Sequence, residues 1–315
     1  MSVLLYKFFF ILSRIRKRNL KKNNFRFACS NKMIGYIEAY FNIIIPRKYD
    51  RELKNGLNRR KRDQRIIVSL TSYPGRINTV WIAIESLFRQ SLKPDKIILW
   101  LAHDQFLSDD SLPKRLMDLK NRGLIIKYCD NLLSHKKYYY TMQEYPNDLI
   151  ILVDDDMIYP NDVIKKLYNM HKDNPNDICT INCQKIVSSI KSPPSTWKNP
   201  GLNERICSSS KVQIFSGSGS LYIPNCLDKE VFDKEKILKY CPFADDLWLT
   251  IMAYKKGTKI TSLSRWRSFP IGIYGSEKDC LYNINVSDGR NDVQWENLIK
   301  SYPEVFDEIE RKFYE

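Results

Sequence analysis

Histidine is scarce, with three in 315 residues at positions 103, 135 and 171. They are too dispersed to build a histidine metal cage. The eight cysteines follow no regular spacing. Cys179 and Cys183 are the closest pair, and no second pair or nearby histidine completes a zinc site. Scattered thiols of this kind fit a reducing cytosol. No internal repeat or low-complexity tract is present. The apolar run at 3–12, VLLYKFFFIL, falls short of the roughly 20 residues a membrane-spanning helix needs. It also lacks the preceding positive charge and small-residue cleavage site of a signal peptide.

Acidic residues are nearly missing from the first 65 positions. That segment holds 18 Lys/Arg against 4 Asp/Glu, a net +14 of the chain's +15. The remaining 33 bases and 32 acids almost cancel. The basicity therefore belongs to an N-terminal appendage, which argues against a non-enzymatic nucleic-acid-binding protein, as does the lack of a recognised nucleic-acid motif. Within the appendage, SRIRKRNLKK follows the apolar run directly. Apolar insertion plus a basic patch is the two-signal recipe for an anionic membrane surface; the alternative is a helix docked on the protein's own body. Met33, Ile37, Tyr40, Phe41 and Ile44 then recur at helical spacing, and Pro46 is expected to close that helix. It either packs on the main body or continues the membrane surface. Residues 47–65 are polar and basic and suggest a linker.

From Ile66 the patterns alternate. Apolar runs IIVSL, KIILWL, LIIKYC and LIILV predict strands, and helical patterns lie between them, the first over 77–90. Strands separated by helices of this length imply βαβ units and an α/β fold with a mostly parallel central sheet flanked by helices. The rhythm breaks near Asp177, and residues 184–212 look loop-rich, with KSPPSTWKNPG at their centre.

The stretch DLIILVDDDMIYP, 148–160, organises the chain. Its apolar strand ends in Asp154, Asp155 and Asp156. Three adjacent carboxylates repel one another unless a cation is supplied, and oxygen ligands suit Mg²⁺ or Mn²⁺. Ligands of open α/β sheets bind beyond the carboxyl ends of the strands, where this cluster falls. The competing reading is a solvated acidic turn that caps the next helix.

Five motifs in order, VSLTSYPGR, HKKYYY, VDDDMIYP, GSGSLYIP and PFADDLWL, resemble bacterial glycosyltransferases of the GT-A (Rossmann-like) fold. The likeness is to family-2-like enzymes of capsular or lipopolysaccharide surface polysaccharide synthesis. It covers about residues 66 to 290, leaving 1–65 as the basic appendage and 291–315 as a C-terminal helical tail. The resemblance implies a hexosyl-type transfer from a nucleotide-sugar donor to a saccharide or lipid-linked saccharide acceptor. In it Asp154 and Asp156 take the metal-binding positions of the DxD motif, with Asp155 beside the donor. Thr71, Tyr73 and Arg76 are implied nucleotide contacts, with turn residues and a helix-start charge as the alternative. Asp104 is a candidate for a base or ribose hydrogen bond or an ordinary surface acid. Lys136 and Lys137 are candidates to offset diphosphate charge or are solvated lysines at a helix start. Gly217 and Gly219 supply flexible backbone where ligands approach closely, or a tight turn before a strand.

Asp245 and Asp246 open a helical pattern. They are either favoured there by the helix dipole or, as the resemblance implies, supply the general base that deprotonates the acceptor hydroxyl. The family more often has Glu-Asp, which leaves the choice between them open. Such a base implies inversion at the anomeric carbon. A sugar-phosphate nucleotidyltransferase would also use carboxylate-bound Mg²⁺ but normally carries a Gly-rich basic phosphate loop after the first strand; TSYPGR has one Gly and one Arg. The expected location is the cytoplasmic face of the membrane, held peripherally.

Overall fold

The computed structural model describes residues 25–51, 56–201, 204–264, 269–273 and 289–314. Helix α1, Phe25–Arg51, precedes an α/β body. Strands β1 (Ile66–Thr71), β2 (Lys96–Ala102), β3 (Leu124–Cys129) and β4 (Leu149–Leu152) alternate with α2 (Val80–Phe88), α3 (Lys114–Asn121) and α4 (Lys136–Glu144). After β5 (Met157–Ile158) and α5 (Val163–Asp173) come β6 (Ile178–Thr180), β7 (Cys183–Lys185), β8 (Glu204–Ser209), β9 (Val212–Ile214) and β10 (Ser220–Tyr222). The chain ends with α6 (Lys234–Tyr240), α7 (Asp245–Lys256), β11 (Ile260–Ser264), β12 (Ile271–Gly272), α8 (Arg290–Ser301) and α9 (Pro303–Tyr314).

Eight strands form the central sheet in the order β3-β2-β1-β4-β10-β6-β11-β8. Only β10 and β8 run against the others. This is the mostly parallel α/β sheet that the alternating patterns predict. The order in which strands are added reverses at β1, which pairs in parallel with β2 on one side and β4 on the other. The gap beyond their carboxyl ends is a topological switch point, where such sheets bind ligands.

Strands β1, β2 and β4 are almost wholly apolar because both of their faces are covered. Ile67, Ile98, Ile150 and Leu152 face one core with Tyr138, Trp248, Trp295 and Phe306. Their neighbours Ile66, Val68, Leu70, Leu99 and Ile151 face the other, with Val80, Leu116 and Val163. The period of two along each strand separates the two cores. Helix α4 is keyed to the sheet by polar contacts as well. Ser69 Oγ donates to Lys137 O at 2.6 Å, and Trp100 Nε1 donates to Thr141 Oγ1 at 2.6 Å.

Three segments differ from the sequence expectation. Helix α1 continues through Pro46 to Arg51: Pro removes one backbone donor, and buried Tyr49 holds the last turns against the body. The described part of the expected linker is docked. Asn58 and Arg62 both hydrogen-bond Asp95, and Arg65 grips Asp148 with two bonds. The loop-rich stretch 184–212 contains short strands, and its Pro-rich centre is pinned by the C-terminal helices. Ser195 bonds Asp292, the Ile190 N–H donates to Glu310, and Trp197 meets Trp295 edge-on at 5.0 Å. Helices α8 and α9 are thus part of the core, with Trp295, Leu298 and Phe306 fully buried.

Candidate active site

Strand β1 ends where Thr71 donates its hydroxyl to Trp100 O at 2.8 Å. The turn that follows carries Ser72 and Arg76 towards the end of β4. Ser72 Oγ donates to Asp155 Oδ2 at 2.5 Å, and Arg76 reaches Asp155 at 2.8 Å and Asp156 at 3.0 Å. Burial disfavours the Arg76 charge, but Asp156 and Asp155 together outweigh it and raise its pKa. Tyr73 lies under the guanidinium, 5.6 Å away.

Burial divides the three aspartates, which follow β4 and run into a turn. The side chain of Asp155 is 5% exposed and clamps the β1 turn to β4, whereas those of Asp154 and Asp156 are 38% and 21% exposed. Asp155 is therefore a tie within the protein, and its neighbours are the open pair. Asp156 Oδ1 is buried and has no hydrogen-bond partner among the described residues. Burial first, then the Asp154 charge, push the Asp156 pKa up to about 7. A carboxylate oxygen left without a donor is costly, and a cation relieves it. Among the described residues no three His, Cys, Asp or Glu side chains form a complete metal cage. Mg²⁺ needs no such cage, because it sits on one or two carboxylates plus substrate phosphates. Asp154 and Asp156 fit that pattern.

Lys137 is buried at 3% side-chain exposure and bridges two motifs. Its Nζ lies 2.7 Å from Asp154 Oδ1 and 2.9 Å from Asp245 Oδ2. The solvated-lysine alternative therefore fails for Lys137, whose charge is committed to carboxylates. Burial opposes that charge, but Asp154 and Asp245 hold it and raise its pKa. Lys136 is also buried and donates to Asn131 Oδ1 at 3.2 Å; burial lowers its pKa. Asp104 is exposed and accepts from Asn131 Nδ2 at 3.1 Å. It stands at the rim, apart from the carboxylate cluster.

The glycine loop closes the arrangement from the other side. A Cβ on Gly217 would lie 1.6 Å from Asp154 Oδ2, so only glycine lets the loop pass this carboxylate. Gly219 has φ +105° and turns the chain into β10 behind the site. Tyr159, the residue directly after β5, donates its hydroxyl to Gly217 O at 2.5 Å and accepts the Asp154 N–H at 2.7 Å. Ser216 N–H donates to Asp246 Oδ1 at 2.8 Å, and Ser216 Oγ donates to Asp245 Oδ2 at 3.0 Å.

These contacts tie the acid pair to the glycine loop and to α4. In the first turn of α7 their side chains hold Ser216 and Lys137, and the helix N-cap, Ala244, makes no side-chain cap bond. Asp245 is buried. Burial works to raise its pKa, but Lys137 and His135 outweigh it and bring it down to about 2. Asp246 keeps partial exposure, and burial followed by the Asp245 charge raises it to about 7. Lys137 thus favours the anion on Asp245, while burial and that anion push Asp246 towards its protonated form, and the two carboxyls titrate as a pair. Separated acid strengths of this kind mark functional sites.

The structure therefore gathers Arg76, Lys137, Asp154, Asp155, Asp156, Gly217, Asp245 and Asp246 into one cluster, with Thr71, Tyr73, Lys136 and Gly219 bordering it. Ser72, Tyr159 and Ser216 join the cluster without having been singled out from sequence. Ser72 and Tyr159 lie inside motifs already quoted and Ser216 directly precedes one, and their hydroxyls gain meaning only from the packing. No protein-family model matches the chain. No curated protein matches it either. Among solved structures, it is similar to S. aureus TarS residues 1–349 in complex with UDP, at 15% identity and TM-score 0.43. That overlap takes in 64% of this chain and 58% of TarS 1–349. A longer TarS structure gives 16% identity and TM-score 0.44, with 35% of that chain covered. The chain thus spans less than two thirds of either.

Proposed function

We propose that this protein is a metal-dependent, inverting glycosyltransferase of the hexosyl-transferring type. It moves a sugar from a nucleotide-diphosphate sugar to a saccharide or lipid-linked saccharide acceptor in cell-surface polysaccharide synthesis. The observation that carries the reading is the pairing of two carboxylate sites across Lys137. One is open and holds an unpartnered oxygen on Asp156. The other presents a partly exposed Asp246 whose Oδ1 is held by the Ser216 N–H at 2.8 Å.

In this reading the donor lies beyond the ends of β1 and β4, along the turn holding Thr71, Tyr73 and Arg76. Asp154 and Asp156 would hold Mg²⁺ or Mn²⁺, which would supply Lewis-acid neutralisation of the diphosphate leaving group. Asp246 accepts the proton of the acceptor hydroxyl as that oxygen attacks the anomeric carbon. Attack opposite the leaving diphosphate inverts the configuration. The Ser216 N–H orients the Asp246 carboxylate, and Lys137 holds Asp245 as an anion beside it. Arg76, with two carboxylates in its grasp, holds the acidic strand end in place against the turn.

The protein is further proposed to work peripherally at the cytoplasmic face of the membrane, attached through the apolar and basic residues 1–25. Those residues lie outside the described part of the structure, apart from Phe25 at the start of α1. Among the described residues no helix is long and apolar enough to cross a membrane. The test is a screen of nucleotide sugars for thermal stabilisation with and without Mn²⁺ or Mg²⁺. A ligand that binds only the folded chain raises its melting temperature. Stabilisation by at least one nucleotide sugar, lost in excess chelator, is expected; no stabilisation by any of them contradicts the reading.

A further inference from the structure

Helix α1 has two unlike faces. One is docked: Ile37 and Tyr49 are buried, Ile45 packs on the core that holds Val80 and Leu116, and Arg89 stacks over the Tyr49 ring at 4.1 Å while donating to Tyr49 O. The other carries Met33, Tyr36, Tyr40, Ile43 and Ile44, all exposed, with Tyr36 at 65% and Ile43 at 51%. At 100° per residue these five fall within an arc of about 100°. Five of the nine exposed large hydrophobic residues among those described are on this one helix. Lys32, Arg47 and Lys48 are exposed in and beside the same arc.

We infer that this stripe is a lipid-facing surface, seated in the headgroup region of an anionic membrane. Charge selects this occupant over the others. Residues 1–24 contain seven Lys/Arg and no acid, so folding them over a stripe set with Lys32, Arg47 and Lys48 brings like charges together. A second copy of the helix meets the same repulsion. An anionic bilayer takes the apolar side chains and the bases at once. Tyrosine is suited to that depth, because its ring is apolar and its hydroxyl stays wet. The docked face fixes the helix to the body, so the whole domain is held in one orientation on the membrane. The inference rests on the proposed membrane attachment but assigns it to a different segment, independent of residues 1–25.

The experiment is sedimentation of the full chain with vesicles of phosphatidylcholine alone or mixed with phosphatidylglycerol. The variants are Tyr36→Asp/Ile43→Asp and, as a control, Leu107→Asp. Leu107 is 95% exposed but lies in the loop after β2. The double variant is expected to lower partition onto anionic vesicles by at least about tenfold, while Leu107→Asp leaves it unchanged. Melting temperature and metal-dependent nucleotide binding stay at wild-type values in both, which separates this result from a failure of the catalytic reading. A milder pair, Tyr36→Ser/Ile43→Ser, is expected to give a smaller loss in the same direction. Wild-type partition in the double variant overturns the inference. So does a wild-type dimer that the double variant dissociates without a change in vesicle binding, because a second copy then covers the stripe. Stronger vesicle binding after deletion of residues 1–24 also overturns it, because that segment was then the cover.

Discussion

Replacing Lys137 with Met tests whether one buried cation holds the two carboxylate sites together. Lys137 is 3% exposed and lies 2.7 Å from Asp154 and 2.9 Å from Asp245. Methionine fills a similar volume but leaves Asp245, 9% exposed, as an uncompensated buried charge. Removing one partner of a buried pair costs about 3–5 kcal/mol. The Asp154 half is more exposed and therefore screened, so the lower figure of ~3 kcal/mol applies. For a chain of 315 residues that corresponds to a fall in melting temperature of roughly 5 °C. The sign with pH follows from Asp245. Its folded pKa, about 2, lies below its ordinary value of 3.8. In the wild type its contribution is therefore present above pH 3.8 and is lost as the pH falls through 2. Without Lys137 the buried carboxylate takes up a proton more readily, so the penalty is large at pH 8 and shrinks towards pH 5. Thermal unfolding followed by circular dichroism at both pH values measures this. A fall below about 2 °C at pH 8, or equal falls at both, refutes the reasoning.

Gly217→Ala places a Cβ 1.6 Å from an Asp154 oxygen and is expected to weaken metal-dependent nucleotide binding by at least about tenfold in calorimetry. Gly219→Ala strains a φ of +105° and costs stability of about 1–2 kcal/mol, read from a urea titration, with little change in that binding. The rate of transfer at low acceptor concentration is expected to rise with pH to a plateau, with its midpoint near 7, because only ionised Asp246 accepts a proton. The same raised pKa means that ionising Asp246 destabilises the fold as pH climbs from about 4 through 7. A rate profile flat from pH 5.5 to 8.5 removes Asp246 from the proton transfer.

Strands β1 to β4 are legible in the sequence because each is a short run of Ile, Leu and Val that both cores require. Their observed bounds differ from the pattern by a residue at most. The short strands β7 and β9 and the half-exposed β8 are hidden among Ser, Pro and Lys, and their pairing comes from contacts distant in sequence. Pro46 reads as a stop because local propensity opposes helix there, yet docking through Tyr49 carries α1 past it. At the site, the acidic strand end is visible as three consecutive aspartates. Their division into an inward clamp and an outward pair depends on Ser72 and Arg76, which lie more than 75 residues away. Lys137 is hidden for a similar reason. In HKKYYY its charge looks solvated, and only the docking of α4 through Ser69 and Thr141 buries it.

The most direct measurement compares Asp156→Asn and Asp246→Asn for nucleotide-sugar affinity and for single-turnover transfer rate. Asp156→Asn is expected to lose metal-dependent donor binding while the fold persists. Asp246→Asn is expected to keep wild-type donor affinity and transfer at least about a hundredfold more slowly, the usual scale of a general base. If both variants bind and transfer like the wild type and differ only in melting temperature, the two carboxylate sites are structural and the glycosyltransferase account is wrong.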